Sequence, residues 1–118
     1  MQYTLDKNDK YALISLHEQK LNTLISAELK SELLIINSQG YGNIILDLSD
    51  TQYCDSSGLS AVLVGNRVCR NSSGMFVLTG LSEAVLKLIT ISQLEQVLVI
   101  TSTLNEAIDY IASNEIEK

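Results

Sequence analysis

One short stretch of the chain carries side chains suited to phosphate chemistry or to binding, and it spans Asp55-Ser56-Ser57-Gly58. It follows an apolar run at 44–48 and opens a second apolar stretch that continues to Cys69. This pattern predicts a buried strand that leads into the start of a helix. Hydroxyls at a helix start lie beside amide groups that lack partners within the helix, where an added anion is tolerated. We therefore expect the function to depend on this junction.

The residues of the junction alone leave two interpretations open. If Ser56 caps the helix, it presents a hydroxyl that a protein kinase could phosphorylate, with the Asp55 carboxylate beside it. Gly58 would then leave room for the backbone of another molecule. In the structural interpretation, Asp and Ser are ordinary capping residues with no further role, which is the more common case.

The rest of the chain offers no competing catalytic centre. His17 is the only histidine, and no patterned carboxylates accompany it as metal ligands would. We expect Cys54 to be a half-buried residue at a strand end and Cys69 to lie in the core. Phosphate-binding loops and nucleophile elbows are absent from the sequence. We therefore expect no enzymatic activity, no metal and no cofactor.

The composition argues against several function classes. Lys and Arg total 8 against 14 Asp and Glu, which gives a formal net charge of -6. Nucleic acids and anionic membranes attract clustered cations, so we expect neither as a partner. The longest apolar segments are too short to span a bilayer, and residues 1–7 lack a signal-peptide pattern. We expect a cytoplasmic protein, monomeric when free, with one domain at 1–118.

Hydrophobic periodicity predicts the elements that position the junction. A hairpin of strands at 2–6 and 11–16 is followed by a loop at 17–23 and a helix capped by Ser26. Later strands are predicted at 43–48, 75–78 and 97–100. Later helices are predicted from about Ser57 to Asn71, after a candidate cap at Ser82, and after the capping box at Thr103. The order β-β-α-β-α-β-α-β-α predicts an α/β fold, a mixed and mostly parallel sheet with about four helices packed against it.

Some charged positions remain ambiguous at this level. Asp47 lies inside an apolar run, and we expect it to be hydrogen-bonded under the junction rather than at a strand edge. Arg67 and Arg70 fit a solvated helix face better than contacts with Asp55 or a partner. The acidic end of the chain at 115–118 is predicted to fray.

The string Leu46-Asp47-Leu48-Ser49, followed by Asp55-Ser56-Ser57-Gly58-Leu59, resembles the signature of the STAS domain family. That family includes bacterial anti-sigma factor antagonists and the cytoplasmic tails of sulfate transporters. The resemblance extends from the opening hairpin to the strand and helix after Val97. It implies a single STAS-like domain over the whole chain.

The resemblance also implies a function. In the antagonists of this family, the hydroxyl residue directly after the signature aspartate is phosphorylated, which here is Ser56. The unmodified protein would bind an anti-sigma factor that is also a serine kinase, and so release a sigma factor. Phosphorylation would dissociate that complex, and a phosphatase acting on phospho-Ser56 would restore binding. The partner-binding residues implied are Asn22, Asp55, Ser57, Gly58, Leu59 and Ser60.

The sequence departs from the family pattern at three places. Ser60 replaces a frequent second glycine, Asn22 replaces an aspartate that helps bind the kinase, and the turn at 90–94 lacks its usual glycine. An alternative of the same fold is therefore retained: a scaffold subunit of a lipid-transport or stress-signalling complex that binds without phosphorylation. A nucleotide-binding or hydrolytic domain is a third, weaker hypothesis.

Overall fold

A computed structural model of the protein describes residues 1–116. The strands are β1 (Tyr3–Lys7), β2 (Ala12–Leu16), β3 (Lys20–Leu21), β4 (Ile44–Asp47), β5 (Tyr53–Cys54), β6 (Phe76–Thr79) and β7 (Val99–Thr101). The helices are α1 (Thr23–Ser38), α2 (Ser56–Asn71), α3 (Glu83–Ile91) and α4 (Leu104–Ile116).

Five of the strands form one sheet in the order β1-β2-β4-β6-β7. Only β1 and β2 pair antiparallel, and the other neighbours in this sheet pair parallel. The strands β3 and β5 form a separate parallel pair. The predicted fold class, a mixed and mostly parallel sheet with four helices, is thereby confirmed.

The central strand β4 is buried on both faces, as its uninterrupted apolar sequence predicts. Ile44 and Leu46 join the larger core, which also contains side chains of α1, α2 and α3. Ile45 faces the opposite way and packs in a smaller core with Ala107 and Ile111 of α4. Helices therefore cover both faces of the sheet, and the loops at the carboxyl end of β4 lead directly to the junction before α2.

The start of α1 corrects the predicted cap at Ser26. Asn22 is the cap, because its side chain accepts a hydrogen bond from the Leu24 amide at 3.1 Å. Ser26 lies one turn into the helix, where it is buried and its amide donates to the Asn22 carbonyl at 2.8 Å. The predicted loop at 17–23 also contains β3, since Leu21 pairs with Cys54 of the equally short β5.

The last helix confirms one prediction and corrects another. Thr103 and Glu106 form the predicted capping box, with the Glu106 amide donating to Thr103 Oγ1 at 3.2 Å and the Thr103 amide donating to Glu106 Oε1 at 3.1 Å. The predicted fraying at 115–118 is wrong for Glu115, which is helical and accepts a hydrogen bond from Asn43 Nδ2 at 2.6 Å. Positions 117 and 118 lie outside the described residues.

Candidate functional site

The short β3–β5 pair places the starts of α1 and α2 side by side. Leu21 and Cys54 are paired in register, and the next residue of each strand is the cap of the following helix. The Asp55 amide also donates to the Leu21 carbonyl at 3.2 Å. Asn22 and Asp55, distant in sequence, therefore belong to one surface.

Asp55, and not Ser56, is the cap of α2. Its Oδ1 accepts hydrogen bonds from the Gly58 amide at 2.9 Å and from the Ser57 hydroxyl at 2.7 Å. The Ser57 hydroxyl lies 3.2 Å from Thr23 Oγ1 in the first turn of α1, which links the two helix starts. The hydrogen bond from Ser57, followed by that from the Gly58 amide, lowers the pKa of the Asp55 carboxyl below its usual value. The cap is thus a carboxylate at neutral pH.

Ser56 is the first residue of α2, and its side chain is exposed. No hydrogen bond of its hydroxyl occurs among residues 1–116, in contrast to the hydroxyl of Ser57. Because Asp55 takes over the capping role, the Ser56 hydroxyl is left facing solvent. The two adjacent serines therefore differ in availability: one is accessible and the other is engaged in the cap.

The remaining predicted site residues lie at different depths. Gly58 is buried, and a β-carbon there would overlap the Leu21 carbonyl oxygen and lie 2.8 Å from Cys54 Sγ. The glycine thus accommodates the backbone of this chain, and the expectation that it leaves room for another molecule is wrong. Leu59 is buried in the larger core, whereas Ser60 is exposed one turn after Ser56. Direct partner contacts by these three residues stay predictions.

An apolar groove adjoins Ser56, with a volume of about 410 Å³. Its lining comprises Tyr53, Cys54, Asp55, Ser56, Ala84, Lys87, Leu88 and Ile91. Ile91 is 68% exposed and Tyr53 is 52% exposed, so this apolar surface is open to solvent. Lys87 and Ile91 were not among the residues predicted for the site. The available signal was Ile91, which is apolar but lies outside the buried stripe of α3. The junction therefore adjoins a larger exposed apolar surface.

Both cysteine side chains are buried, which disfavours the charged thiolate form. Burial, with a smaller contribution from the Asp55 charge, raises the pKa of the Cys54 thiol to about 11. Burial raises the pKa of the Cys69 thiol to about 12. Cys69 lies in the core as predicted, and Cys54 is more deeply buried than the predicted half-buried strand end.

The other polar residues considered have local roles. His17 Nδ1 lies 2.7 Å from Asp50 Oδ2, and its Nε2 lies 3.2 Å from Thr4 Oγ1. Asp47 Oδ1 accepts hydrogen bonds from the Ser49 amide at 2.9 Å and the Ser49 hydroxyl at 2.7 Å. It therefore shapes the loop after β4 and not the junction itself.

The described part of the chain shows neither a metal-binding cluster nor a membrane-spanning helix. Residues 1–116 contain no group of three or more His, Cys, Asp or Glu side chains placed to hold a metal ion. None of the helices described is both long and apolar enough to cross a bilayer.

Comparisons with known proteins find several solved structures of the same fold. The chain matches a candidate anti-sigma factor antagonist from Thermotoga maritima at 24% identity and a TM-score of 0.83, covering 93% of this chain and 94% of that chain. Bacillus SpoIIAA in its phosphorylated form matches at 23% identity and a TM-score of 0.72, over 93% and 99% of the two chains. A chain of the stressosome matches at 22% identity and a TM-score of 0.75, over 95% and 98%.

These three structures share the fold of the described residues. The family model for the STAS domain matches residues 4–107, which include both helix starts and the surface around Ser56. This match extends over most of the sequence, from β1 into the last helix. The chain belongs to the STAS domain family.

Proposed function

We propose that the protein is an anti-sigma factor antagonist that binds a serine-kinase anti-sigma factor and is inactivated by phosphorylation of Ser56. One observation carries the proposal: the Ser56 hydroxyl is exposed and lacks a hydrogen bond among the described residues, whereas Ser57 is tied to Asp55. A kinase must bring the acceptor hydroxyl into line with the transferred phosphoryl group, which requires a free hydroxyl. Similarity to a Bacillus protein known in a phosphorylated form supports the assignment.

The electrostatics of the junction explain how phosphorylation would end binding. A phosphoserine adds about -1.5 to -2 charges at neutral pH. That charge would be added beside the ionised Asp55, in a chain that already carries a net charge of -6. Like-charge repulsion and desolvation at the interface would weaken the complex by roughly a hundredfold, which corresponds to about 2.8 kcal/mol. The start of α2 tolerates the phosphate in the free protein, so no refolding is needed.

The binding surface proposed for the kinase contains both helix starts. Asn22, Asp55, Ser57 and Ser60 would contact the partner, with Gly58 and Leu59 supporting them from below. A phosphatase acting on phospho-Ser56 would return the protein to its binding form. The partner implied by the family is an anti-sigma factor, and its binding to this protein would free the sigma factor. The protein itself would perform no catalysis.

The test is a phosphorylation assay with the anti-sigma kinase and ATP, followed by mass spectrometry of the modified site. Ser56→Ala should abolish labelling, and the matched control Ser57→Ala should retain it. Ser56→Asp should weaken kinase binding sharply in calorimetry while its circular dichroism spectrum stays unchanged. Labelling that survives in Ser56→Ala would overturn the site assignment.

The scaffold alternative makes a different prediction in the same experiments. Similarity to a chain of the stressosome is the observation in its favour. If the protein is a scaffold subunit of a lipid-transport or stress-signalling complex, the wild-type, Ser56→Ala and Ser56→Asp forms should all bind the partner with the same affinity. The protein that copurifies with the unphosphorylated form would then be a transport or stress-signalling subunit and not a kinase.

A further inference from the structure

A second cleft lies toward the carboxyl-terminal end of α2, at the opposite end of that helix from Ser56. It is bounded by α2, the start of β6, the approach to the edge strand β7, and α4, and its volume is about 270 Å³. This volume is slightly below the range for drug-sized ligands, about 300–1,000 Å³, and so suits a smaller molecule. The lining residues used below are Asn66, Arg70, Phe76, Gln96, Val97 and Tyr110.

Asn66 is the most informative of these residues. It is 8% exposed, and its side-chain amide forms no hydrogen bond within the described part of the chain. Among the described residues, the one fully enclosed polar side-chain atom without a partner is Thr79 Oγ1, so the amide atoms of Asn66 are reached by solvent from the cleft. Hydrogen bonds from a bound molecule would replace those that water makes there. The side chain lines the cleft, so it offers a donor and an acceptor to whatever occupies that space.

Arg70 supplies the charge of the cleft. It follows Asn66 by one helical turn and so lies on the same face of α2. Arg70 is the one charged residue among the described residues that line the cleft. It takes part in neither of the two ion pairs within residues 1–116. A cationic cleft contrasts with the net charge of -6 on the chain. The planar guanidinium matches a carboxylate, which it can bind through two parallel hydrogen bonds.

We propose that this cleft binds a small carboxylic acid with an apolar body. Arg70 and Asn66 bind the carboxylate, and the apolar body packs against Phe76 and Val97, which line the same space. One cation is matched by one negative charge, which favours a carboxylate over a doubly charged phosphate ester. The cleft shares no lining residue with the groove at Ser56, so this site is independent of the proposed phosphorylation.

The test is a titration of the ¹⁵N-labelled full chain with benzoate, phenylacetate and 3-phenylpropionate, followed by two-dimensional NMR. At least one acid should saturate with a dissociation constant of about 1 mM, a typical value for so small a ligand. The shifts should include the Asn66 side-chain amide, which reports directly on the cleft. Arg70→Gln and Asn66→Ala should each weaken binding by about tenfold or more, the loss of a charge-assisted or buried hydrogen bond.

The controls decide between this site and general attraction to a cation. Arg67→Gln makes the same charge change on an equally exposed arginine of the same helix that does not line the cleft, and it should leave binding unchanged. The neutral amide of the tightest acid should bind at least about tenfold more weakly. Equal weakening by Arg67→Gln, equal binding of the neutral amide, tighter binding of phenyl phosphate, or shifts that never saturate would each overturn the proposal.

Discussion

The substitution Gly58→Ala tests the close packing of α2 against β3. The added β-carbon would overlap the Leu21 carbonyl oxygen and lie 2.7 Å from Leu21 Cγ and 2.8 Å from Cys54 Sγ. The nearest atom, the Leu21 carbonyl oxygen, belongs to the backbone and accepts a hydrogen bond from the Asp55 amide. It therefore cannot move aside as the end of a flexible side chain would. The helix and the strand must separate instead.

The expected cost follows from two opposing effects. Alanine is favoured over glycine within a helix by about 1 kcal/mol. Overpacking of a tight site costs about 1–3 kcal/mol, and more where backbone must shift. We expect a net loss of about 2 kcal/mol in the free energy of unfolding, which lowers the melting temperature by about 8 °C in a domain of this size.

The assay is urea unfolding followed by circular dichroism, with Gly42→Ala as the control. A β-carbon at Gly42 would meet its nearest atoms at 3.7 Å, an ordinary contact, so its stability should change by less than about 0.5 kcal/mol. Kinase binding should also weaken in Gly58→Ala, because the separation of α2 from β3 moves Asp55 away from Asn22. A Gly58→Ala variant as stable as wild type would refute the close packing on which this reasoning rests.

Three further predictions concern charge and ionisation. Because hydrogen bonds lower the pKa of Asp55, its extra stabilisation is present above about pH 4 and is lost as the pH falls through the lowered value; the difference in unfolding free energy between wild type and Asp55→Asn should therefore shrink from pH 6 to pH 3. With a pKa of about 11, the Cys54 thiol should resist Ellman's reagent at pH 8 in native protein and react in urea; fast native labelling would contradict its burial. Lys87 shares the groove with Ser56, and its positive charge should favour the doubly charged form of a phosphate on Ser56, which lowers the second pKa of that phosphate. In ³¹P NMR titrations, Lys87→Gln should therefore raise that pKa toward about 6. An unchanged pKa would show that the ammonium group is too far from the phosphate.

The sheet and the helices were predictable because each is long enough to show its hydrophobic period. The two short segments at 2–6 and 11–16 indicated a hairpin, and the apolar run of β4 indicated a buried strand. In the helix after Asp55, helical spacing predicts one buried face, and the residues at that spacing are buried in the structure: Leu59, Val62, Asn66 and Cys69. These patterns involve residues close together in the chain, so they can be recognised in a single sequence.

The two caps were harder to predict, since several residues in a row could serve. Asp, Ser and Ser are all good caps, and the choice of Asp55 depends on the hydrogen bond that fixes its amide to Leu21. The strands β3 and β5 contain two residues each, too few to show any period. Their pairing is a contact between distant segments, so it was not predictable from either segment alone.

The β3–β5 pair also determines what kind of epitope the protein presents. Asn22 and Asp55 come together only when Leu21 and Cys54 have paired, which requires that the intervening segment of α1 and β4 has folded. A synthetic peptide containing Ser56 would carry the acceptor hydroxyl but none of the α1 side of the surface. A partner that contacts both helix starts therefore recognises a conformational epitope and ignores unfolded copies of the same sequence.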